Sequence, residues 1–425
     1  MTRPISDRRL LLIMSPATYR AGAFRDAAAR IGLEIVVAVD MPDPLAGRYH
    51  GQLTLDFQDV DEATSRLVAW VHDHAEPPVV AVLAVDDRGS EIAARASQQL
   101  GLPHNDPASA LAARDKWVMR QALERGGVPV PRFEAVSADT DPATIAHQQA
   151  YPVVVKPTLL SGSRGVIRAD TADGFIEAFS RTRRVLERSG MPADTFPILI
   201  EQYVPGDEVA LEGLLTDGGL ATLALFDKPD PLDGPFFEET IYVTPSRLPV
   251  DVQSVISRRS AESARAIGLR NGPVHAELRI DQATGDIWMI ELAGRSIGGL
   301  CGSVLEFGTG ISLEELILRH AAGIEMPSTD RGGDGAGVMM IPIPRGGMLR
   351  EVGGQQEALA VRGVTGIEIT TPYNQPIVPL PEGESYLGFI FAKGETAADA
   401  EAALREAHAR LTFRIDPAIS LMRRK

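Results

Sequence analysis

The sequence of 425 residues is too long for one ordinary hydrophobic core, and its length indicates roughly two to three domains. A hydrophobic content of 44% describes a globular protein rather than a disordered chain. The formal net charge of −15 gives the surface a field that repels nucleic acids and anionic membranes, so neither is expected as a partner.

The single cysteine, Cys301, excludes an internal disulfide and a zinc site built from several cysteines. No partner for a reactive thiol is evident near it, so we interpret it as a small apolar packing residue. The apolar run of residues 10–14 is too short for a signal peptide, and no stretch reaches the roughly 18 apolar residues of a transmembrane helix. The sequence therefore predicts a soluble, cytoplasmic protein.

Strands and helices alternate in the N-terminal part of the chain. Strands are predicted at "RLLLIM" (9–14), "EIVVAVD" (34–40) and "PPVVAVLAVDD" (77–87), and a helix at "FRDAAARIGL" (24–33). This alternation predicts a parallel, doubly wound sheet in a domain of residues 1–110. The turn "SPATYRAG" lacks the Gly-x-Gly-x-x-Gly pattern, which argues against a nicotinamide-dependent dehydrogenase.

A second domain is predicted over residues 111–327. One helix begins near residue 107 and contains "RDKWVMRQALERGG". Residues 127–203 then predict a small inserted α+β lid subdomain, with strands at "VPVPRFEAV", "YPVVVKP", "VIRAD" and "FPILIEQYV" and a helix capped by Thr171. Two β-hairpins follow: one spans residues 208–228, and the other joins "PVHAELRID" to "DIWMIEL".

A third unit is predicted over residues 328–425. The glycine-rich "STDRGGDGAGV" (328–338) predicts a linker, because no strand–turn–helix context surrounds it. Strands are predicted at "GIEITTP" and "SYLGFIFAKG". The last helix has Thr396 as its N-cap and Asp399 at the capping-box position.

Three lysines are predicted at positions from which their ammonium groups could reach an anion in a cleft. Lys116 begins a helix, while Lys156 and Lys228 each end an apolar strand, from which an ammonium group can reach an anion. A lysine whose stem lies along the surface is the structural alternative for each one alone. The loop "SGSRG" (161–165) offers serine hydroxyls, Arg164 and freed backbone N–H groups that can wrap phosphate oxygens, although a small Ser/Gly hairpin has the same composition.

Carboxylates recur at the ends of predicted strands. In "EQYVPGDE" (201–208) the extended connector can pair with an adenine edge, and Glu208 can then reach ribose hydroxyls. Glu277 and Glu291 lie at comparable positions on the two strands of the second hairpin. Facing carboxylates repel unless a cation lies between them, and Mg²⁺ with ATP suits such a pair; two solvated acids are the alternative.

These motifs together resemble the ATP-grasp superfamily over about residues 9–323. The resemblance rests on "RDK", "VVVKP" before a Ser/Gly loop, "EQYVPGDE" and two strand-borne glutamates, the second ahead of an arginine. More narrowly, "NGPVHAEL", "FFEETIYVTPSRLP", "ELAGRSIGGL" and the C-terminal segment are similar to the L-amino-acid ligase (dipeptide synthetase) branch. The resemblance implies an α/β ATP-grasp fold: an N-terminal Rossmann-like parallel sheet, two α+β ATP-grasp subdomains and a small C-terminal α+β domain.

The resemblance also implies a role for each matching position. The expected phosphate contacts are Lys116, Lys156, Ser161, Gly162, Ser163, Gly165 and Lys228. The expected adenine and ribose contacts are Glu201, Tyr203, Val204 and Glu208. Glu277 and Glu291 are expected to hold Mg²⁺, with Mn²⁺ as the alternative ion. Many members have Asn two residues after the second glutamate, but this sequence has Ala293, so water or phosphate must supply that ligand.

The activity implied is that of an ATP-dependent carboxylate–amine ligase that joins amino acids through an acyl phosphate. Arg295 is expected to hold a substrate carboxylate, because its planar guanidinium can grip both oxygens. The Gly298-Gly299 turn lets the backbone approach the substrate closely. Residues 229–240, rich in Pro and Gly, suit a mobile segment that excludes water from the acyl phosphate.

Three further residues are candidates with a structural alternative. Glu239 and His275 could accept the proton of the amine, and we favour Glu239 because a structural histidine is an equal explanation of His275. Asn105 could line the substrate end of the cleft, but an ordinary turn residue is the simpler interpretation.

Two other functions stay open at this point. An ATP-dependent carboxylase or purine-pathway ligase has the same fold, but no biotin-carrier segment is visible. A nucleotide-binding sensor without catalysis is the second, although both glutamates and all three lysines are present. The expected partners are small-molecule carboxylate and amine substrates, and a homodimer through the N- or C-terminal unit is common for such enzymes.

Overall fold

The N-terminal domain is built on a parallel sheet. The computed structural model describes residues 4–16, 18–41, 53–190, 196–383 and 386–417. The strands β1 (Arg9–Met14), β2 (Glu34–Asp40), β3 (Leu53–Leu55) and β4 (Val79–Ala84) lie in the order β3-β2-β1-β4, all parallel. The predicted parallel sheet is confirmed. The strand β3 was not predicted, because three residues are too short to show a period.

Helices cover both faces of this sheet. The three are α1 (Ala21–Ile31), α2 (Val60–Asp73) and α3 (Ser90–Leu100). Leu10 and Leu12 of β1 pack with α1, whereas Leu11 and Ile13 pack with α2 and α3 on the other side. A strand covered on both faces reads as a continuous apolar run, which explains why every residue of β1 is buried.

Two helices replace the single helix predicted from residue 107. They are α4 (Pro107–Arg114) and α5 (Lys116–Arg125). The prediction was wrong at Asp115, whose carboxylate accepts hydrogen bonds from the N–H groups of residues 117 and 118 and so begins α5. The break matters because it places Lys116 in the first turn of a helix, beside the loop that starts at Thr158.

The lid subdomain is a four-stranded antiparallel sheet with one long helix. Its strands β5 (Phe133–Val136), β6 (Val153–Pro157), β7 (Ile167–Ala169) and β8 (Ile198–Gln202) lie in the order β5-β8-β6-β7. The helix α6 (Ala172–Arg188) has Thr171 as its N-cap, as predicted, and it packs Phe175, Phe179 and Leu186 against the sheet. The cleft loop, residues 158–166, connects β6 to β7.

An eight-stranded antiparallel sheet forms the centre of the molecule. Its order is β13-β12-β9-β10-β11-β16-β20-β18. The strands are β9 (Asp207–Thr216), β10 (Gly219–Asp227), β11 (Ile241–Thr244), β12 (Gly272–Ile280), β13 (Ile287–Ala293), β16 (Gly335–Ile341), β18 (Val364–Ile369) and β20 (Gly388–Gly394). The helices α7 (Val250–Ile267) and α8 (Leu313–Ala321) flank it, and β14 (Glu306–Phe307) pairs with β15 (Ile311–Ser312). Both predicted hairpins, β9–β10 and β12–β13, are confirmed.

The predicted linker at residues 328–338 was wrong in its second half, which begins β16. The glycines within β16, Gly335 and Gly337, reflect close packing instead of flexibility. A Cβ at Gly335 would lie 2.0 Å from the carbonyl oxygen of Thr396, and one at Gly337 would lie 2.9 Å from side-chain atoms of Leu404 and Val243. The strand pairs with β11 on one side and β20 on the other, so the sheet continues across the expected boundary at residue 328.

The C-terminal part adds a second small sheet and two helices. The strands β17 (Gly347–Gly353), β19 (Pro376–Ile377) and β21 (Thr412–Asp416) lie in the order β19-β17-β21, with α9 (Gln355–Leu359) and α10 (Ala397–Arg410) beside them. The capping box predicted at Thr396 and Asp399 is present. Within the described part of the chain, every helix is too short or too polar to span a lipid bilayer.

Candidate active site

A cavity of about 310 Å³ lies where the lid sheet faces the central sheet. Its wall also includes Tyr19 from the N-terminal domain and Met340, Tyr386 and Phe389 from the C-terminal part. Most of the predicted site residues line it: Lys116, Lys156, Ser161, Gly162, Ser163, Glu201, Tyr203, Val204, Glu208, Glu239, His275, Glu277, Glu291, Arg295, Gly298 and Gly299. Residues from five widely separated motifs therefore face one space.

The lid end of the cavity is organised around Glu201. Its Oε2 lies 2.6 Å from Nζ of Lys156, and its Oε1 lies 2.5 Å from Nε of Arg120. Burial opposes ionisation of this carboxyl group, but the two cations outweigh burial and lower the pKa of Glu201. Burial in turn lowers the pKa of Lys156 despite its carboxylate partner. Both carboxylate oxygens of Glu201 thus already have partners within the protein, whereas the sequence analysis expected Glu201 to contact adenine.

Arg120 is a buried residue that the sequence analysis missed. It is fully buried on α5, one turn after Lys116, and it also donates to the carbonyl oxygen of Ile290 at 2.6 Å. An arginine spaced four residues from a site lysine on the same helix was the available signal. The N–H of Tyr203 donates to the carbonyl oxygen of Pro152 at 3.0 Å, so this N–H already has a partner within the protein, while Tyr203 and Val204 both line the cavity.

The cleft loop turns sharply through three residues with positive φ. Gly162, Ser163 and Gly165 have φ values of 64°, 55° and 73°, in the left-handed region. Such turns can point neighbouring N–H groups into one concavity, but here the N–H groups of Arg164 and Val166 donate to the carbonyls of Ser161 and Ser163 within the loop. Gly165 itself does not line the cavity, because its N–H donates to the carbonyl of Pro381 at 2.8 Å. Lys116 lies against the start of the cleft loop, where its Nζ donates to the carbonyl oxygen of Leu160 at 2.9 Å.

A single ammonium group lies among three carboxylates in the floor of the cavity. Nζ of Lys228 is 2.7 Å from Glu208, 2.6 Å from Glu239 and 2.9 Å from Glu277. Burial works against this charge, but the three acids raise the pKa of Lys228 well above its usual range. Lys228 lies beneath the cavity wall, so the predicted contact with the γ-phosphate requires it to leave these carboxylates.

The acids around Lys228 differ in their pKa values. Burial and the charge of Glu277 raise the pKa of Glu239 to about 7, against the opposing pull of Lys228. Glu277 is also buried, but Lys228 and His275 hold its pKa well below the usual range. Glu239 is therefore the carboxylate that exchanges a proton near neutral pH, whereas Glu277 stays ionised.

His275 lies between two carboxylates. Its Nδ1 is 3.2 Å from Glu212 and its Nε2 is 3.5 Å from Glu277. Burial lowers the pKa of the imidazole, but the two acids outweigh burial and raise it to about 9. A histidine with a pKa of about 9 is protonated at neutral pH and cannot accept a proton, so the two pKa values favour Glu239 for that role.

Glu212 was not anticipated from the sequence. It is fully buried on β9, and the same oxygen that faces His275 accepts a hydrogen bond from the N–H of Ile297 at 3.0 Å. The signal was an acid inside the apolar run "VALEGLL". Glu212 thereby ties the imidazole to the loop that carries the Gly298-Gly299 turn.

The residues that could hold a cation lie on adjacent strands. Glu277 and Glu291 are direct partners in the β12–β13 pairing, as the hairpin predicted, with a bulge immediately after Glu277. Oxygens of Glu208, Glu239 and Glu277 also lie within 4.8 Å of one another. Every donor is a carboxylate oxygen, which suits a hard divalent ion such as Mg²⁺ better than a thiolate- or imidazole-seeking metal. Nζ of Lys228 already lies among Glu208, Glu239 and Glu277, so an ion held by these three would have to displace it.

Arg295 is held in place from the N-terminal domain. Its Nε and Nη2 lie 2.9 Å and 2.8 Å from Asp87, and Nη1 donates to the carbonyl of Ser296 at 3.0 Å. Burial disfavours the charge, but Asp87 keeps the pKa of Arg295 above its usual range. Beside it, Gly299 has φ of 60°, and a Cβ there would lie 3.0 Å from the ring of Phe389.

Two remaining candidates are accounted for. Asn105 does not line this cavity: its amide oxygen accepts from the N–H groups of Arg270 and Asn271, at 2.8 and 3.0 Å, beside a separate cavity of about 610 Å³. The substrate role considered for it therefore has no support, and the turn-stabilising role fits. Cys301 is 1% exposed, and burial raises the pKa of its thiol, as expected of a packing residue.

Three family models match successive parts of the chain. The ATP-grasp N-terminal domain matches residues 25–104, the ATP-grasp domain residues 149–304, and the L-amino acid ligase C-terminal domain 2 residues 339–416. The chain thus contains ATP-grasp domains followed by an L-amino acid ligase C-terminal domain. In this ATP-grasp protein the three matches fall on the parallel sheet, on the lid with the central sheet, and on the C-terminal strands, which confirms the predicted family and branch.

Curated relatives of this ATP-grasp protein include amino-acid ligases. Alanine–anticapsin ligase of Bacillus subtilis is 27% identical over 294 residues, which is 62% of this chain and 60% of the relative. The chain thus spans about three fifths of the length of that relative. A D-alanine–D-alanine ligase of Ralstonia pickettii is 25% identical over 243 residues, 54% of this chain and 69% of that ligase.

Solved structures confirm the ATP-grasp fold. The L-amino acid ligase from Bacillus licheniformis superposes with a TM-score of 0.82 at 24% identity, covering 98% of this chain and all of the other. The carboxyaminoimidazole ribonucleotide synthase from Aspergillus clavatus, solved with ATP, gives 0.72 at 15% identity, covering 96% of this chain and 100% of the other. The fold is therefore shared with purine-pathway enzymes as well as with amino-acid ligases.

Proposed function

We propose that the protein is an ATP-dependent ligase that forms a peptide bond between two amino acids, or between an amino acid and a related small molecule. The observation that carries the proposal is one cavity that combines a phosphate-type loop, two lysines, paired carboxylates and a buried arginine. The match to an L-amino acid ligase C-terminal domain supports amino acids as the substrates.

The chemistry requires activation of a carboxylate. A free carboxylate is a poor electrophile, because its leaving group would be oxide. Attack of a carboxylate oxygen on the γ-phosphorus of ATP forms an acyl phosphate and releases ADP. A neutral amine then attacks the acyl carbon, the tetrahedral intermediate collapses, and inorganic phosphate leaves. The amine loses its proton in this second step, so a nearby base is needed.

The proposed first step depends on charge neutralisation and position. Lys116 and Lys156 lie at the two sides of the cleft loop and would contact the phosphates. Arg295, fixed by Asp87 and by the carbonyl of Ser296, would hold the carboxylate of an amino-acid substrate with the remaining N–H groups of its Nη atoms. Glu277 and Glu291 would hold Mg²⁺, which supplies charge neutralisation at the phosphates.

The proposed second step uses the other wall of the cavity. Glu239, with a pKa of about 7, would accept the ammonium proton and pass it to solvent. Gly298 and Gly299 line the same space, and their N–H groups would donate to the developing oxyanion. Residues 229–240, which carry Glu239 and contact the lid, would exclude water from the acyl phosphate.

The direct test is phosphate release from ATP and Mg²⁺ across a matrix of single and paired L-amino acids, with bicarbonate as a further acceptor. Mass spectrometry of each active well identifies the product, and Glu291→Gln is the inactive control. We expect phosphate only with certain pairs, together with a product lighter by one water than their sum. Phosphate with bicarbonate alone would support a carboxylase, and ATP binding without turnover would support a sensor.

A further inference from the structure

The lid helix α6 is attached to the C-terminal part of the molecule by an ion pair. Nε and Nη2 of Arg181 lie 2.5 and 2.9 Å from the two carboxylate oxygens of Glu382. The contact is bidentate, the geometry in which Arg–carboxylate pairs are strongest. The hydrogen bond with Arg181 lowers the pKa of Glu382, so the pair is ionised at neutral pH. The two residues are 201 positions apart in the sequence.

The same C-terminal segment also contacts the cleft loop. The carbonyl of Pro381 accepts a hydrogen bond from the N–H of Gly165 at 2.8 Å, and the carbonyl of Glu382 accepts one from Nε of Arg164 at 3.2 Å. We name residues 379–383 the C-terminal latch. The latch therefore reaches both the lid helix and the last residues of the loop proposed to cover the phosphates.

Arg181 also contacts the segment that carries Glu239. Its guanidinium lies 4.8 Å from the ring centre of Phe236, and Phe236 forms a β-bridge with Ile167 at the end of the cleft loop. Arg168 adds hydrogen bonds from the lid to the carbonyls of Pro235 and Asp233, at 2.9 and 2.7 Å. Three parts of the protein thus meet at Arg181: the lid, the C-terminal latch and residues 229–240.

We propose that Glu382 is a positioning residue for the nucleotide site: through Arg181 it fastens the lid, and with Pro381 it fixes the cleft loop over the phosphates. This gives the C-terminal part a role in ATP binding, and the inference rests on the proposed function. The side chains of Arg181 and Glu382 are 29% and 24% exposed, so water can compete for the pair. A partly exposed ion pair of this kind is weak enough to hold the lid in place and still break when the lid moves.

The test compares Glu382→Gln with Asp416→Asn. The control removes a similar carboxylate–arginine contact, Asp416 with Arg350 at 2.6 Å, on the same C-terminal part but away from the lid. For Glu382→Gln we expect the KM for ATP to rise roughly five- to tenfold, with a smaller change in kcat, because only the hold on the lid is weakened. We also expect phosphate release without peptide formation, since a loose lid admits water.

A second measurement does not depend on turnover. Hydrogen–deuterium exchange of peptides covering residues 158–190, in the nucleotide-free protein, should be faster in Glu382→Gln than in Asp416→Asn. The charge-reversed double variant Arg181→Glu/Glu382→Arg should recover part of the protection and of the KM. Exchange and KM equal to those of the control would overturn the proposal. If the wild-type protein bound no ATP, the proposed function would be wrong. The exchange data would still show whether Glu382 holds the lid and the cleft loop in place.

Discussion

The guanidinium of Arg295 is oriented before any substrate arrives, because Asp87 occupies the edge formed by Nε and Nη2. The arginine itself was predicted from its place after Glu291. Its partner was not, since Asp87 lies 208 positions away and only the folded chain brings them together. For the same reason, the sequence did not reveal Glu212 as the partner of His275 or Arg120 as the partner of Glu201. The residues within each local motif could be named because they are close together in the sequence.

We expect Arg295→Lys to lower kcat/KM for the carboxylate substrate about 100-fold or more, because lysine cannot span two oxygens while also bonding to Asp87. Asp87→Asn keeps a hydrogen bond but loses the charge, so its expected effect is about tenfold. Steady-state kinetics with saturating ATP measures both. Wild-type kinetics in Arg295→Lys would mean that the carboxylate binds elsewhere.

His275 predicts a pH dependence of stability in the metal-free protein. Its folded-state pKa of about 9 lies above the value near 6.5 of an unfolded histidine. The protonated form therefore stabilises the fold fully below pH 6.5, and this contribution, on the order of 3 kcal/mol, is lost as the pH rises through 9.

Thermal unfolding in EDTA between pH 6 and 10 tests this expectation. The midpoint should fall over this range in the wild type. In His275→Gln it should start lower and change less. An unchanged slope in the variant would show that other groups cause the dependence.

At the scale of elements, local patterns predicted most strands and the caps at Thr171 and Thr396, because their signals lie within a few residues of each other. Two of the wrong predictions have clear physical causes. Asp115 begins a new helix where apolar spacing alone continued the old one. Gly335 was predicted to lie in a linker, but it lies in β16, where the absence of a side chain lets the strand pack against the start of α10.

Gly335→Ala should destabilise the protein by roughly 2 kcal/mol or more, because the new methyl group would overlap the backbone at Thr396. Gly332→Ala is the matched control: it lies three residues earlier, and a Cβ there meets nothing within 4 Å. Urea unfolding followed by circular dichroism measures both variants. Equal midpoints would show that the helix shifts at little cost.

At the scale of the whole molecule, the eight-stranded sheet joins the ATP-grasp strands to the C-terminal strands through the β11–β16 pair. Apolar side chains from both sides of that junction share one core, with Ile241 and Val243 packed beside Met339, Ile390 and Leu404. The division into units was predicted from motif order, but the continuity of the sheet was not, because it depends on pairing between distant strands.

A chain ending at residue 327 should therefore fail to fold as a soluble monomer. It would expose the edge of β11 and the apolar face that β16 and α10 now cover. Expression of residues 1–327, followed by size-exclusion chromatography, should yield aggregate rather than a single peak. A well-behaved monomer with the same far-ultraviolet spectrum per residue would contradict this expectation.

Arg120 joins the lid to the central sheet beside the cavity. One planar guanidinium bonds to Glu201, on the last strand of the lid, and to the carbonyl of Ile290, on β13. A lid movement that keeps both bonds must swivel about this group and cannot slide past it. Arg120 would then be the pivot of the lid, and the contact between α6 and residues 379–383 would have to break for the lid to rotate about it.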